Sequence, residues 1–227
     1  MMKLAARPAY HRILCPKDED AVIDLSGMAR TGGLDIVGDG GNVTVQNGDL
    51  CGWRLNVSGQ IKRLDLINLR SDVSRGDARD VVDIAGKIET MVADRCRFTG
   101  VKGQGGGIHG DCIQVFDTAS VGLLMIRRST LHSAYQAVMA KLRDDGVGVK
   151  RIILQDTNIR DYSEARVQQS VAVLLMGCQS KQASVELRNA WIEWPKAATH
   201  AIATAGKVQR SGAFNIGIPH GGDFCPA

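Results

Sequence analysis

The sequence predicts an all-β solenoid, with short strands stacked turn upon turn. Three observations carry this. A run of alternating apolar and polar residues closing on a polar one recurs along the chain, glycine ends most of the strands between, and helical periodicity is scarce. Composition agrees, with 26 glycines in 227 residues, 4% aromatics and 44% hydrophobic residues. Many turns and a thin aliphatic core suit that balance better than a helical bundle. As one domain, a chain this long buries roughly 70–75% of its unfolded surface, so its core needs no metal or disulfide.

Residues 1–35 hold two short strand-like runs, Ile13-Leu14-Cys15 and Ala21–Leu25, split by the charged Lys17–Asp20. They read as an N-terminal cap rather than a repeat. The repeat occupies residues 36–206. Its copies are Val43–Asn47, Leu64–Asn68, Met91–Arg95, Leu124–Arg128, Ile152–Asp156 and Val185–Asn189. The closing polar residue falls at 47, 68, 95, 128, 156 and 189, at intervals of 21, 27, 33, 28 and 33 residues. Three positions later an apolar residue returns as Phe98, Leu131, Ile159 and Ile192. A polar loop of variable length then leads to a second strand: Trp53–Val57, Val81–Ile84, Ile113–Val115, Ala137–Ala140, Val171–Leu175 and Ala201–Ala203. Residues 207–227 are glycine-rich and poor in strand-forming runs, as expected of a C-terminal cap or an assembly tail.

One such coil has too little apolar surface to close a core by itself, so about six must stack. Stacking places Leu64 against Met91, Leu124, Ile152 and Val185, one strand spacing apart. A β-sandwich also uses short strands and turns, but it predicts no register between copies about 28 residues apart. A leucine-rich repeat requires closer likeness between copies and a spacing of 20–29 residues.

The strongest candidate site lies in Gly107–Asp117. Alternation in Ile113-Gln114-Val115 sends Ile113 and Val115 to the core and Gln114 outward. On this reading Asp111 shares the outer face with Gln114, and His109 stands in the turn before them. His109 suits general acid or base work, because imidazole titrates near neutral pH. Asp111 and Gln114 suit sugar hydroxyls or a metal-bridged carboxylate. Asp83, outward between Val82 and Ile84 one coil earlier, would give Asp111 a second carboxylate, the pair that glycosidic hydrolysis uses. One coil later Lys141 and Arg143 offer cations that would neutralise a uronate carboxylate or take the proton beside it. Tyr135 and Gln136 enter the same strand, where the phenol would donate to a leaving oxygen. The predicted catalytic residues are therefore His109, Asp111 and Lys141. Gln114, Asp83, Tyr135, Gln136 and Arg143 are predicted to bind substrate. The competing reading is a ladder of solvated polar side chains with no chemistry.

The repeat, together with His109-Gly110-Asp111-Cys112-Ile113-Gln114, resembles the pectin-lyase-like superfamily of right-handed parallel β-helices, whose members carry an H-x-D-G-I-Q element. Cys112 stands where that element has glycine. The resemblance covers about residues 36–206 and implies a single-stranded right-handed parallel β-helix. It also implies a polysaccharide partner, with lyase, hydrolase or phage tailspike activity. Asp144-Asp145 and His109-Gly110 echo two elements of the polygalacturonases, while their N-T-D and R-I-K elements are missing. No subfamily is matched, so catalysis, pure binding and a structural solenoid all remain readings of the sequence.

A net charge of +4 fits an acidic glycan, and no basic run interleaved with aromatics points to nucleic acid. The six cysteines lack zinc spacing, and Cys96, Cys112 and Cys178 read as small core residues of a protein made in a reducing compartment. No cofactor follows from the residues; calcium is the cation that a bridged carboxylate would bring. No apolar run reaches the ~20 residues of a membrane helix. The N-terminus also lacks the apolar segment of a secretory signal. A tailspike-like virion component is the expectation, homo-trimeric or bound to other virion proteins. An exported polysaccharide lyase or hydrolase whose signal has been removed is the alternative.

Overall fold

A computed structural model describes residues 10–28, 32–72, 80–101, 110–116, 118–133, 135–141, 147–161, 173–178, 184–193, 202–206 and 209–225. Among these residues there is no helix, and every strand pairing is parallel. The strands form three walls of a solenoid. The first wall runs through β1 (His11–Leu14), β3 (Leu34–Asp39), the start of β5 (Leu55–Asp72), β6 (Val82–Ile84), β9 (Asp111–Val115), β11 (Gln136–Lys141), β13 (Val173–Cys178) and β15 (Ile202–Gly206). The second runs through β2 (Ala21–Asp24), β4 (Asn42–Asp49), the middle of β5, β7 (Lys87–Asp94), β10 (Ser120–Ser133), β12 (Gly148–Asp161), β14 (Ser184–Glu193) and β16 (Gln209–Ser211). The third wall joins the ends of β5, β10, β12 and β14 to β8 (Arg97–Val101) and β17 (Phe214–Ile216).

Alternation decides which side chains fill the interior. Ile36, Val57, Ile84, Val115 and Ala140 stand in register on the first wall. Leu66, Ala93, Ile126 and Leu154 do so on the second, and Phe98, Leu131, Ile159 and Ile192 on the third. All are essentially buried. Each large aliphatic side chain so removed from water contributes roughly 1.5–3 kcal/mol. Since every level meets only its neighbours, the core is a column rather than a ball. β1 and β2 pair in register with β3 and β4, so the segment expected to be an end piece supplies the lowest level of the same column.

The turn between the second and third walls accounts for the periodic polar residue. Asn47, Asn68, Arg95, Arg128, Asp156 and Asn189 all take left-handed φ, between 47° and 58°. Such a residue reverses the inward–outward alternation, so the next one also faces the core. Leu69, Cys96, Ser129, Thr157 and Ala190, which follow, are buried. Burial pushes the Cys96 thiol up to about 12, which makes it an inert packing group. Asparagine and aspartate tolerate left-handed φ, and here they also bond along the stack. Asn68 Nδ2 donates to Asn47 Oδ1 at 3.1 Å, and Asn189 Nδ2 to Asp156 Oδ1 at 2.8 Å.

Arginine has no such aptitude, yet it occupies two consecutive rungs. Arg128 is compensated, since it and Arg127 both donate to the carboxylate of Asp94 one level below. Burial opposes ionisation of Asp94, but the Arg128 and Arg127 guanidiniums outweigh it and hold the carboxyl below its usual range. Arg95 is exposed and forms no ion pair among the described residues. A non-glycine residue in this region costs about 1–2 kcal/mol. Arg95→Asn restores a tolerant residue above Asn68 and is expected to stabilise the chain by about 1 kcal/mol, a rise of roughly 2–4 °C in thermal unfolding. An unchanged or lower melting temperature would contradict the strain assigned to Arg95.

Candidate functional site

Three aspartates meet where the chain enters the first wall. Asp80 precedes β6, Asp83 lies within it, and Asp111 opens β9 one level above. Asp111 N donates to Asp80 Oδ1 at 2.8 Å, and Val81 N returns a bond to Asp111 O at 3.0 Å. Asp80 stands beside Asp83, and Arg54 Nη1 donates to Asp83 Oδ2 at 2.8 Å from the level below, while Asp83 Oδ1 has no partner among the described residues. Tyr10 lies close to the same guanidinium and sets its ring edge against Trp53, with centroids 5.5 Å apart. One arginine therefore faces two carboxyls, and Asp111 stands beside them without a cation of its own among the described residues.

Burial then decides their charge. Asp83 is 2% exposed and Asp111 0%. Removal from water, followed by the neighbouring charge of Asp80, pushes Asp83 up to about 7. Burial, with Asp80 and Asp83 adding to it, pushes Asp111 well above the carboxylate range. Burial also raises Asp80, though the Asp111 amide and Arg54 oppose it. Tyr135 is raised by burial and by the charge of Asp111. Both carboxyl oxygens of Asp111 and Oε1 of the buried Gln136 lack a partner among the described residues. An acid that keeps its proton near neutral pH beside a carboxylate can give and take a proton, which is the equipment of general acid–base chemistry.

Asp111 is less exposed than the sequence reading expected: it is fully buried, as are Cys112 and Ile113 after it. Gln114 does point outward, half-buried, in register with Asp83 below and Met139 above. Asp83 holds the outward position expected of it, but it is covered rather than solvated. Gln136 pairs with Asp111 in register, and Tyr135 N donates to Ser133 Oγ at 3.1 Å beside them. Lys141 ends β11, opposite Met176; its side chain, like His109 and Arg143, lies outside the described residues.

Sequence reasoning missed Asp80 and Arg54. Asp80 and Asp83, three apart across Val81-Val82, were a visible signal; Arg54, 29 residues before its partner, left none. Among the described residues no group of three histidine, cysteine, aspartate or glutamate side chains is arranged to hold a metal ion.

A hollow of about 520 Å³ lies elsewhere, at the bend between the first and second walls. Lys62, Lys87 and Lys150 line it with Gln60, Glu89 and Ser120. None of the three lysines has an ion-pair partner among the described residues. Compared with protein-family models, with curated proteins and with solved structures, the chain matches none.

Proposed function

We propose that this β-solenoid binds an acidic polysaccharide and hydrolyses it with Asp83 as the general acid. The observation that carries the reading is Asp83, protonated up to about pH 7 beside Asp80 while it accepts a bond from Arg54. Glycosidic hydrolysis needs a proton-bearing acid at the leaving oxygen, the role given to Asp83. Burial and the like charge of Asp80 keep Asp83 protonated, so the role of Asp80 is positioning and tuning. The unpaired lysines of the bend supply cations for the carboxylates of the glycan. A tailspike-like setting, in which copies associate into a trimer, is the context we propose; the mass in light scattering tests that part separately.

The test is cleavage of a panel of polyuronate, sulfated and neutral glycans, followed by reducing-end release and by absorbance at 235 nm. Hydrolysis gives the first signal without the second; β-elimination gives both. Asp83→Asn is expected to lower hydrolysis at least ~100-fold while the far-ultraviolet spectrum stays that of the native chain. No cleavage of any glycan, or cleavage that survives Asp83→Asn, would sink the reading. The three aspartates would then be a buried polar knot of the scaffold.

A further inference from the structure

Among the described residues, the chain beyond β17 adds no strand to any wall. It turns back and descends the outside of the third wall, where one outward row runs Arg70, Arg97, Thr130, Asn158, Trp191 and Asn215. His220 meets the edge of Trp191, with ring centroids 5.9 Å apart. Below it the Asp223 carboxylate takes bonds from Arg97 Nη1 at 2.8 Å, Asn158 Nδ2 at 2.8 Å and Arg160 Nη1 at 3.5 Å. Three backbone groups are read as well. Phe224 N donates to Asn158 Oδ1 at 3.2 Å, Cys225 N to Thr130 Oγ1 at 3.3 Å, and Arg97 Nη1 to Cys225 O at 2.9 Å.

A carboxylate and a run of peptide groups, all bound by side chains from separate levels, is how a groove recognises a short acidic peptide. None of these bonds to Asp223–Cys225 belongs to the β-ladders, so releasing the segment leaves the walls paired. Outward positions of a solenoid are ordinarily wet, yet Thr130 and Asn158 are fully buried beneath the segment and bonded to each other at 2.8 Å. The groove also continues past the segment: below Cys225 a hollow of about 230 Å³ is lined by Asp49, Arg70, Ser71, Asp72, Arg97 and Thr99. The approach to the segment is built to swing. Gly217 and Gly222 have φ of 102° and 86°, and a Cβ at either, or at Gly221, would meet nothing within 4 Å.

We propose that the outward row Arg97, Thr130, Asn158 and Arg160 is a recognition groove for an acidic peptide. In this chain it is filled by Asp223–Cys225, and it is open to the same segment of a second copy. The groove lies on the third wall and does not depend on the chemistry assigned to the aspartates.

The test uses the full chain and a fluorescent synthetic copy of residues 218–227. Asp223→Asn weakens the resident segment, so that variant is expected to bind the peptide at least tenfold more tightly than the native chain does. A peptide with asparagine in place of its aspartate is expected to bind the variant at least tenfold more weakly. Equal binding to the two proteins, equal binding of the two peptides, or no binding at all overturns the proposal. Should Asp223→Asn fail to fold, the native chain decides. Excess peptide must displace His220 from Trp191 and change an emission signal that Trp191→Phe removes, and the asparagine peptide at the same concentration must not. No change in that signal overturns the proposal equally.

Discussion

Gly59→Ala is expected to cost roughly 3–5 kcal/mol, combining a strained backbone with a clash that nothing nearby can relieve. Gly59 turns the chain from the first wall into the second with φ of 80°. A Cβ there would stand 2.1 Å from the carbonyl oxygen of Gly38 in the level below. That oxygen is backbone, in a strand bonded to the levels on both sides, so it cannot withdraw without opening the ladder. One level up, a Cβ on Gly86 would lie 2.6 Å from the oxygen of Gly59, so the close approach repeats along the corner. Gly27→Ala is the control. Its φ is 79°, yet a Cβ there meets nothing within 4 Å, so it carries only the backbone cost of about 1–2 kcal/mol. At roughly 2–4 °C per kcal/mol, thermal unfolding monitored by circular dichroism should separate the two variants by several degrees. Equal melting temperatures would mean that the corner is not packed backbone against backbone.

The same stacking explains what could be read from the sequence. Positions 47, 68, 95, 128, 156 and 189 stood out because a left-handed turn repeated at every level selects polar, conformationally tolerant residues, and that selection is local. Leu66, Ala93, Ile126 and Leu154 were legible for a similar reason, since period-two alternation fixes a face without reference to any other strand. The two strands of the lowest level were legible, but their place in the column was not, because four-residue strands separated by charged residues carry too little pattern to join the repeat. The burial of Asp111 was not legible, because the carboxyls that crowd it, Asp80 and Asp83, lie about 30 residues earlier in the chain. Arg54 and the descent of Asp223 were beyond reach, since contacts across 29 and 126 residues leave no trace in local composition.

The chain is expected to be most stable on the acid side of neutrality, losing about 4 kcal/mol between pH 4 and pH 7 through the Asp80–Asp83 pair. An acid whose folded pKa is raised holds its proton in the native state and releases it in the unfolded chain. Its contribution is complete below the unfolded value, near 3.8, and is lost as pH rises to the folded value of about 7. That span is about 3 units, each about 1.4 kcal/mol, which gives the figure above. The proton belongs to the Asp80–Asp83 pair rather than to one residue, and buried Asp111 adds in the same direction. Carboxyls held low act oppositely. Asp94 and Asp223 work against burial with the help of their arginines, so their contribution is present above the unfolded value and lost as pH falls below about 4. The two groups leave a maximum near pH 4–5. Urea unfolding between pH 4.5 and 8 should show stability falling with pH in the native chain. Asp83→Asn imitates the protonated acid and should flatten that slope, making the variant relatively more stable at pH 8 than at pH 5. A native chain that gains stability from pH 5 to pH 8 would require the three aspartates to be ionised and solvated, and the acid–base reading of the site would fall with them.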